Sequence, residues 1–229
     1  MAEGVDLDGE IHRADPDRWL ASRFISDPAR RAQVVALYAL DHELARAALV
    51  TSNPLAAEIR LVWWRETLEE IFAGGPARRH PVAAALAGAV RERNLPPEPF
   101  AEMIEARIAA LEVVEIDITE ALAWARGAQA SLARLAALVL GAGKLAGRAE
   151  PSGVVWGLTL LRRAGSLVGG DQALRDALAE ARRAARELPP TAFPAALPAT
   201  LARADLRSVS ASEVAKRARL TWAAVTGRL

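Results

Sequence analysis

One carboxylate stands out as a candidate for chemistry, because the residues around it would direct it into the protein interior. Asp41 lies in the segment LYALDHELARA, from Leu37 to Ala47. At 100° per residue it falls in the middle of an apolar helical stripe. The stripe is formed by Val34, Leu37, Tyr38, Leu44, Ala45 and Ala48. A buried carboxylate without a partner is costly, so Asp41 either pairs with an arginine or caps a backbone group, or it lines an internal cavity.

The following segment, IRLVWWRETLEEIF, is apolar on two opposite sides of its first half. A helix of this kind is usually central in a bundle. Its adjacent tryptophans, Trp63 and Trp64, predict either a large core or a wide apolar pocket. Arg60 and Arg65 flank them, and a guanidinium beside aromatic rings can meet either Asp41 or a ligand phosphate. Arg60 and Trp64 therefore join Tyr38 and Asp41 as candidate ligand-binding residues.

An acidic cluster further along the chain could in principle bind magnesium, which prefers oxygen ligands. Its members are Glu112, Glu115, Asp117 and Glu120. Apolar residues alternate with these acids at helical spacing, which favours a solvated helix face over a metal site.

The other groups that could bind metals or act as nucleophiles form no recognisable site. The three histidines, His12, His42 and His80, lack metal-ligand spacing, and His12 and His80 are predicted to lie in loops. The chain has no cysteine, which excludes disulfides, thiolate metal sites and cysteine nucleophiles.

These residues would be positioned by helices, since helical periodicity recurs almost everywhere and no alternating β-branched run competes with it. Residues 1–14 are predicted to be a polar leader that could be disordered, and residues 15–229 a single helical domain. Asp, Asn, Ser and Pro at helix starts, and Gly and Pro at helix ends, set the predicted boundaries. The predicted helices span residues 27–50, 52–74, 81–93, 99–114, 118–140, 152–164, 171–188, 193–203 and 211–225.

Composition excludes several classes of function. The 229 residues include 29 Lys and Arg against 28 Asp and Glu, and this mixed charge gives no case for nucleic-acid binding. The acidic N-terminus has no apolar stretch typical of a signal peptide, and apolar runs such as Leu135 to Leu140 are too short to span a bilayer. We therefore expect a cytoplasmic protein with at most peripheral contact to the inner face of a membrane. The helix around Lys216 to Trp222 is the one mild candidate for that contact, and its pattern favours docking on the core instead.

The segment FISDPARRAQVVALYALDHELAR resembles the squalene/phytoene synthase family, whose members carry a similar arginine helix before an LYAF segment. The resemblance covers roughly residues 16 to 206. It continues through IRLVWWRETLEEI, HPVAAAL, EARIAAL, VVWGLTLLRRA and FPAALPATLARADL. It implies an isoprenoid-synthase fold, an all-α bundle around a central apolar cavity that takes prenyl diphosphates.

In catalytic members of that family, two Asp-rich motifs on facing helices hold magnesium ions against the diphosphate leaving group. The resemblance places the first motif near Ala45 and Leu49, which are not acids. It matches Arg163 to the family arginine of the second motif, and no acid follows in Ala164 to Val168. Arg163 is thereby a further candidate ligand-binding residue. We expect no cofactor, unless magnesium is held by a displaced set of acids.

The chain is closer in style to a branch that departs from the family in a similar way and includes a mitochondrial factor for assembling respiratory complex I. Three functions follow as hypotheses. The first is a non-catalytic accessory or assembly factor that keeps a prenyl- or lipid-binding cavity and has a protein partner. The second is a divergent prenyltransferase acting on prenyl diphosphates, with Asp41 and Glu66 or Glu70 as displaced acids. The third is a carrier of a polyprenyl lipid or quinone.

Overall fold

The computed structural model describes residues 6–49, 53–112, 116–167, 170–202 and 212–229, except for the side chains of residues 48, 49 and 112. Within these ranges the chain is helical and contains no strand, so the all-α prediction is confirmed. None of the described helices combines the length and apolarity needed to span a bilayer.

The α-helices are numbered in chain order, and shorter 3-10 or π segments connect several of them. The first six helices are α1 (Leu7–Ala14), α2 (Pro16–Ser22), α3 (Pro28–Leu49), α4 (Pro54–Phe72), α5 (Pro81–Arg93) and α6 (Glu98–Ala109). The other helices within the described residues are α7 (Ile118–Trp124), α8 (Ser131–Val139), α9 (Glu150–Arg163), α10 (Asp171–Ala185) and α11 (Glu213–Thr226). The 3-10 segments are Ala110–Glu112, Gly143–Ala149 and Phe193–Leu201, and a π-helical segment covers Ala125–Ala130.

Local capping chemistry explains why the predicted helix starts agree with the observed ones. The Asp27 carboxylate accepts a hydrogen bond of 2.9 Å from the backbone N–H of Ala29, directly at the start of α3. Asn53 does the same for α4, accepting from the N–H of Leu55 at 3.0 Å. In both helices the next residue is a proline at the first helical position, where its missing N–H costs no hydrogen bond.

The N-terminal prediction is wrong for residues 7–14, which form α1 instead of a polar leader. Asp6 caps this helix by accepting from the N–H of Gly9. Ile11 is completely buried where α1 packs against α3. His12, predicted in a loop, lies in α1 and stacks on Trp19 with 3.9 Å between ring centroids. Asp8 also holds α1, because it pairs with Arg31 of α3 and accepts a hydrogen bond from Trp19 Nε1 at 3.1 Å. None of these contacts is visible in the sequence as an apolar run.

Helix α3, and not α4, is the central helix of the bundle. Every residue of α3 from Val34 to Asp41 is buried, because α1, α4, α5 and α8 surround it. Helix α4 buries one face through residues such as Leu61 and Trp64, while Ile59 on the other face is 61% exposed. Val62 and Trp63 on that second side are only half-buried. The prediction that α4 is central is therefore wrong.

The predicted helix over residues 118–140 is interrupted by the π segment, which packs between α6 and α9. A π segment inserts an extra residue per turn and often marks a functional position. Glycines let the neighbouring helices approach its backbone. A Cβ atom added to Gly153 of α9 would lie 2.3 Å from the carbonyl oxygen of Gln129, and one on Gly157 would lie 2.7 Å from the Cβ of Ala125. Helix α9 therefore contacts the π segment backbone to backbone.

This contact predicts a large difference between two glycine-to-alanine substitutions. Gly153→Ala forces the π segment and α9 apart, and we expect it to lower the free energy of unfolding by about 2 kcal/mol or more. Gly88→Ala in α5 meets nothing within 4 Å and should raise it by up to about 1 kcal/mol, through helix propensity. Urea unfolding followed by circular dichroism measures both. Equal stability of the two variants would contradict the close approach.

Candidate functional site

The carboxylate of Asp41 lies at the centre of the bundle and is held by three side chains from three other elements. Arg18 of α2 donates from Nη2 to Asp41 Oδ2 at 2.7 Å, and Arg107 of α6 donates from Nη2 to Oδ1. Gln129 of the π segment donates from Nε2 to both oxygens, at 3.0 and 3.2 Å. Asp41 and Gln129 are each 2% exposed and Arg18 is 5% exposed. We call these four residues the Asp41 network.

The network is closed by further contacts of Arg18. Its Nη1 donates to Gln129 Oε1 at 3.1 Å, so the Gln129 amide bridges a cation and an anion. Its Nε pairs with Asp15, which also caps α2 by accepting from the Arg18 backbone N–H at 2.9 Å. The guanidinium also lies over the ring of Tyr38, 5.1 Å from its centroid. Arg18 is thus satisfied on all sides by residues of α2, α3 and the π segment.

Charges within the network decide the ionisation of its members. Burial alone would raise the pKa of Asp41, but the positive charges of Arg107 and Arg18 and the hydrogen bonds from Arg18 and Gln129 outweigh it. They lower the pKa from 3.8 to about 2. Burial raises the pKa of Tyr38 to about 12, against the lowering effect of Arg18. Asp41 is therefore ionised at neutral pH, and the Tyr38 hydroxyl is protonated.

The interior beside the network is narrow. The space lined by Arg18, Tyr38, Gln129 and Trp156 has a volume of about 20 Å³. Pockets that bind a small organic molecule are typically several hundred Å³ in size. The central apolar cavity that the resemblance implies is therefore closed at this point. Ser152 Oγ and Trp156 Nε1, both buried, have no hydrogen-bond partner among the described residues.

Arg163 belongs to a second ion-pair cluster at the edge of the same space. Its Nη1 lies 2.8 Å from Asp17 Oδ2, and its guanidinium lies over the ring of Trp156 at 5.1 Å. Lys216 of α11 approaches the other oxygen of Asp17 at 2.8 Å. Asp17 is 4% exposed. This cluster joins α2, α9 and the C-terminal helix, so Arg163 serves here to hold helices together.

Arg60 and Trp64 are not brought together with Asp41. They line a separate pocket of about 220 Å³ with Trp63 and His80, on the face of α3 that carries Glu43 and Arg46. Trp64 contacts His80 edge to face with 4.9 Å between ring centroids. Arg60 is exposed. The arginines that meet Asp41 are Arg18 and Arg107 instead.

The acids proposed as displaced metal ligands are engaged elsewhere. Glu66 and Glu70 are exposed and both pair with Arg78, at 2.9 and 2.8 Å. Asp117 and Glu120 form a capping box at the start of α7, each accepting a hydrogen bond from the other's backbone N–H. Glu115 and the Glu112 side chain lie outside the described residues. In the described part of the chain, no group of three His, Asp or Glu side chains is placed to share a metal ion.

The residues of this centre do not fit the magnesium site that the resemblance implies. A carboxylate has about four lone-pair positions, and Asp41 already accepts four hydrogen bonds from Arg18, Arg107 and Gln129. A divalent cation beside it would also lie against two guanidinium groups and be repelled. Ala45 offers no ligand atom, and the Leu49 side chain and Val168 lie outside the described residues.

The sequence identified Asp41 as an inward-pointing carboxylate, and pairing with an arginine was one of the alternatives for it. It did not identify the three partners. Gln129 carried a usable signal, since it is a polar residue within the apolar stretch AQASLARLAALVL. Arg18 and Arg107 carried none, because arginine is common on exposed helix faces and only the packing of α2 and α6 turns these two inward.

The network predicts that Asp41→Asn is strongly destabilising. The substitution leaves two buried guanidinium groups without their shared counter-charge, and we expect a loss of about 3 kcal/mol in the free energy of unfolding. The control is Glu105→Gln, which breaks the exposed ion pair with Arg65 and should cost less than about 0.5 kcal/mol. Urea denaturation at neutral pH measures both. Similar losses in the two variants would contradict a buried network.

The pH dependence of the same variant tests the ionisation of Asp41. Because the pKa of Asp41 is lower in the folded than in the unfolded chain, its contribution is fully present above about pH 4 and is lost as the pH falls through about 2. Wild type should therefore lose more stability than Asp41→Asn between pH 4 and pH 2, by roughly 2 kcal/mol. Parallel pH profiles would show that Asp41 is not ionised in the fold.

Known proteins share this architecture. The squalene/phytoene synthase family model matches residues 11–165. The chain is similar to a dehydrosqualene synthase crystallised with a ligand, with a TM-score of 0.71 and 12% identity over 96% of this chain and 94% of the other. It is also similar to squalene synthase HpnC from Alicyclobacillus acidocaldarius, with a TM-score of 0.64 and 17% identity over 97% and 96% of the two chains. No curated protein sequence matches the chain.

The structural similarity, at these low identities, establishes a shared isoprenoid-synthase-like fold and confirms the predicted fold class. The family match extends over more than half of the chain, through all the helices that form the Asp41 network. By this match, the protein belongs to the squalene/phytoene synthase family.

Proposed function

We propose that this chain is a non-catalytic member of its family that acts as an accessory factor. The observation that carries the proposal is the saturation of Asp41 by Arg18, Arg107 and Gln129. Ionisation of a prenyl diphosphate needs cations that neutralise the leaving group, and magnesium in turn needs several converging carboxylates. Here Asp41, the single inward-pointing acid of the central helix, stabilises the fold.

The narrow space beside the Asp41 network supports the same proposal. Two prenyl chains and a diphosphate occupy far more than the space of about 20 Å³ beside Tyr38 and Trp156. Enlarging that space would require Arg18, which lines it, to move away from its hydrogen-bond partner Gln129 or from the ring of Tyr38. Substrate binding at this centre would therefore compete with the interactions that hold α2 against α3.

The accessory role follows from the resemblance to the branch of assembly factors, together with the closed centre. A member that keeps the fold without its chemistry retains the outer surface of the bundle as its functional part. We propose that this surface binds a protein partner during assembly of a respiratory complex.

The two alternatives have less support. A divergent prenyltransferase needs Glu66 or Glu70 beside Asp41, and both glutamates pair with Arg78 at the surface. A carrier of a polyprenyl lipid or quinone needs an apolar cavity that can open. Such a carrier would reveal itself by a lipid that co-purifies under mild conditions and is detected by mass spectrometry.

Release of inorganic pyrophosphate tests the non-catalytic proposal without assuming a product. We expect the pure protein with magnesium, NADPH and farnesyl or geranylgeranyl diphosphate to release pyrophosphate no faster than buffer with magnesium. A catalytically active dehydrosqualene synthase is the positive control. The proposal would be contradicted if the wild type released pyrophosphate faster than buffer and Asp41→Asn, still folded by circular dichroism, did not. The divergent enzyme would then be the better explanation.

Deletion of the gene tests the assembly role. We expect a deletion strain to contain less assembled respiratory complex I on native gels, and the wild-type gene to restore it. The gene carrying Glu66→Gln/Glu70→Gln should restore complex I equally well. This variant changes two exposed acids that only the enzyme hypothesis requires. An unchanged amount of complex I in the deletion strain would contradict the assembly role.

A further inference from the structure

Helix α11 has one face that docks on the bundle and one that is covered by nothing in the described part of the chain. On the inner face Leu220 and Ala223 are buried, and Lys216 pairs with Asp17 at 2.8 Å. These contacts fix the orientation of the helix about its axis. Its outer face is therefore a defined surface of the protein.

The outer face is unusually apolar for an exposed helix. Val214 is 77% exposed, Trp222 53% and Val225 81%. With the exposed Ala218, these residues fall within an arc of about 80° around the helix axis. We call this set, Val214, Ala218, Trp222 and Val225, the α11 stripe.

Positive charge surrounds the stripe. Residues 213–229 contain four basic side chains and one acid, Glu213, although the whole chain has a net charge of only +1. Lys216 is engaged by Asp17 and Glu213. Arg217, Arg219 and Arg228 form no ion pair with a described carboxylate. The side chains of residues 213–229 therefore carry a net charge of +3.

A cleft next to the stripe is suited to a phosphate group. It has a volume of about 320 Å³ and is lined by Arg219, Arg228 and Trp222, with Thr200 and Leu229. Nη1 of Arg219 is buried and has no hydrogen-bond partner among the described residues. A guanidinium with free N–H groups recognises phosphate oxygens, and an adjacent indole is favoured where apolar and polar surroundings meet.

We infer that the α11 stripe docks on a membrane surface that contains anionic phospholipid. The stripe lies at the boundary of headgroups and acyl chains, and Arg219 and Arg228 bind a lipid phosphate in the cleft. The favourable charge distinguishes this face from the other exposed apolar patch, Leu55 and Ile59 on α4. That patch is flanked by Glu58 and Arg60, whose charges cancel.

Flotation of the pure protein with vesicles tests this docking. We expect binding to phosphatidylcholine vesicles that contain phosphatidylglycerol, much weaker binding to phosphatidylcholine alone, and loss of binding at high salt. Arg219→Gln/Arg228→Gln should weaken binding by about fivefold for each arginine. Val214→Ser/Val225→Ser should also weaken it, and both changes lie at exposed sites where folding does not depend on them.

The matched control is Leu55→Ser/Ile59→Ser, which removes two apolar side chains of α4 that are 62% and 61% exposed and should leave vesicle binding unchanged. Urea midpoints of all variants identify any that fail to fold. If the arginine variant fails to fold, the valine variant still tests the docking. The inference is overturned if neither vesicle binds, if both bind equally, or if the α4 control loses as much affinity as the α11 variants. Binding of α11 to a protein partner alone would give the first of these results.

Discussion

The negative charge of Asp41 lies in the middle of the bundle, and the rest of the structure is arranged to compensate it. Removing a carboxylate from water costs several kcal/mol unless opposite charges and hydrogen bonds replace the lost solvation. Here two guanidinium groups and an amide supply both, and the pKa of Asp41 falls to about 2 despite its burial. Each partner comes from a different element, so the charge ties α2, α6 and the π segment to the central helix.

The backbone is shaped so that the partners of Asp41 can reach its carboxylate. Gln129 reaches Asp41 from a π segment, which packs closely against α9 because Gly153 and Gly157 carry no side chain. Arg18 reaches it from α2, whose start is fixed by the Asp15 cap and Pro16. A second buried acid, Asp17, pairs with Arg163 and Lys216 and anchors α9 and α11 to the same short helix. Buried ion pairs therefore define how the helices meet.

The comparison with a dehydrosqualene synthase and a squalene synthase shows a shared fold. A fold does not determine chemistry, since the function depends on the groups placed within it. The metal-dependent centre implied by the family gathers carboxylates around cations, whereas the centre of this chain gathers guanidinium groups and an amide around one carboxylate. Both arrangements neutralise charge in an apolar interior. Only the first leaves carboxylate oxygens available to bind a metal ion.

The sequence by itself determined the starts of α3 and α4 and the direction of Asp41. Helix starts at Asp27-Pro28 and Asn53-Pro54 depend on neighbouring residues, and the apolar stripe of α3 depends on a period of 3.6, so both can be read locally. The partners of Asp41 could not be read, because Arg18, Arg107 and Gln129 are 23, 66 and 88 residues away from it. Tertiary packing alone decided them. The same packing decided that α3 is central and that one side of α4 stays at the surface, because burial depends on which helices meet a face as well as on its composition.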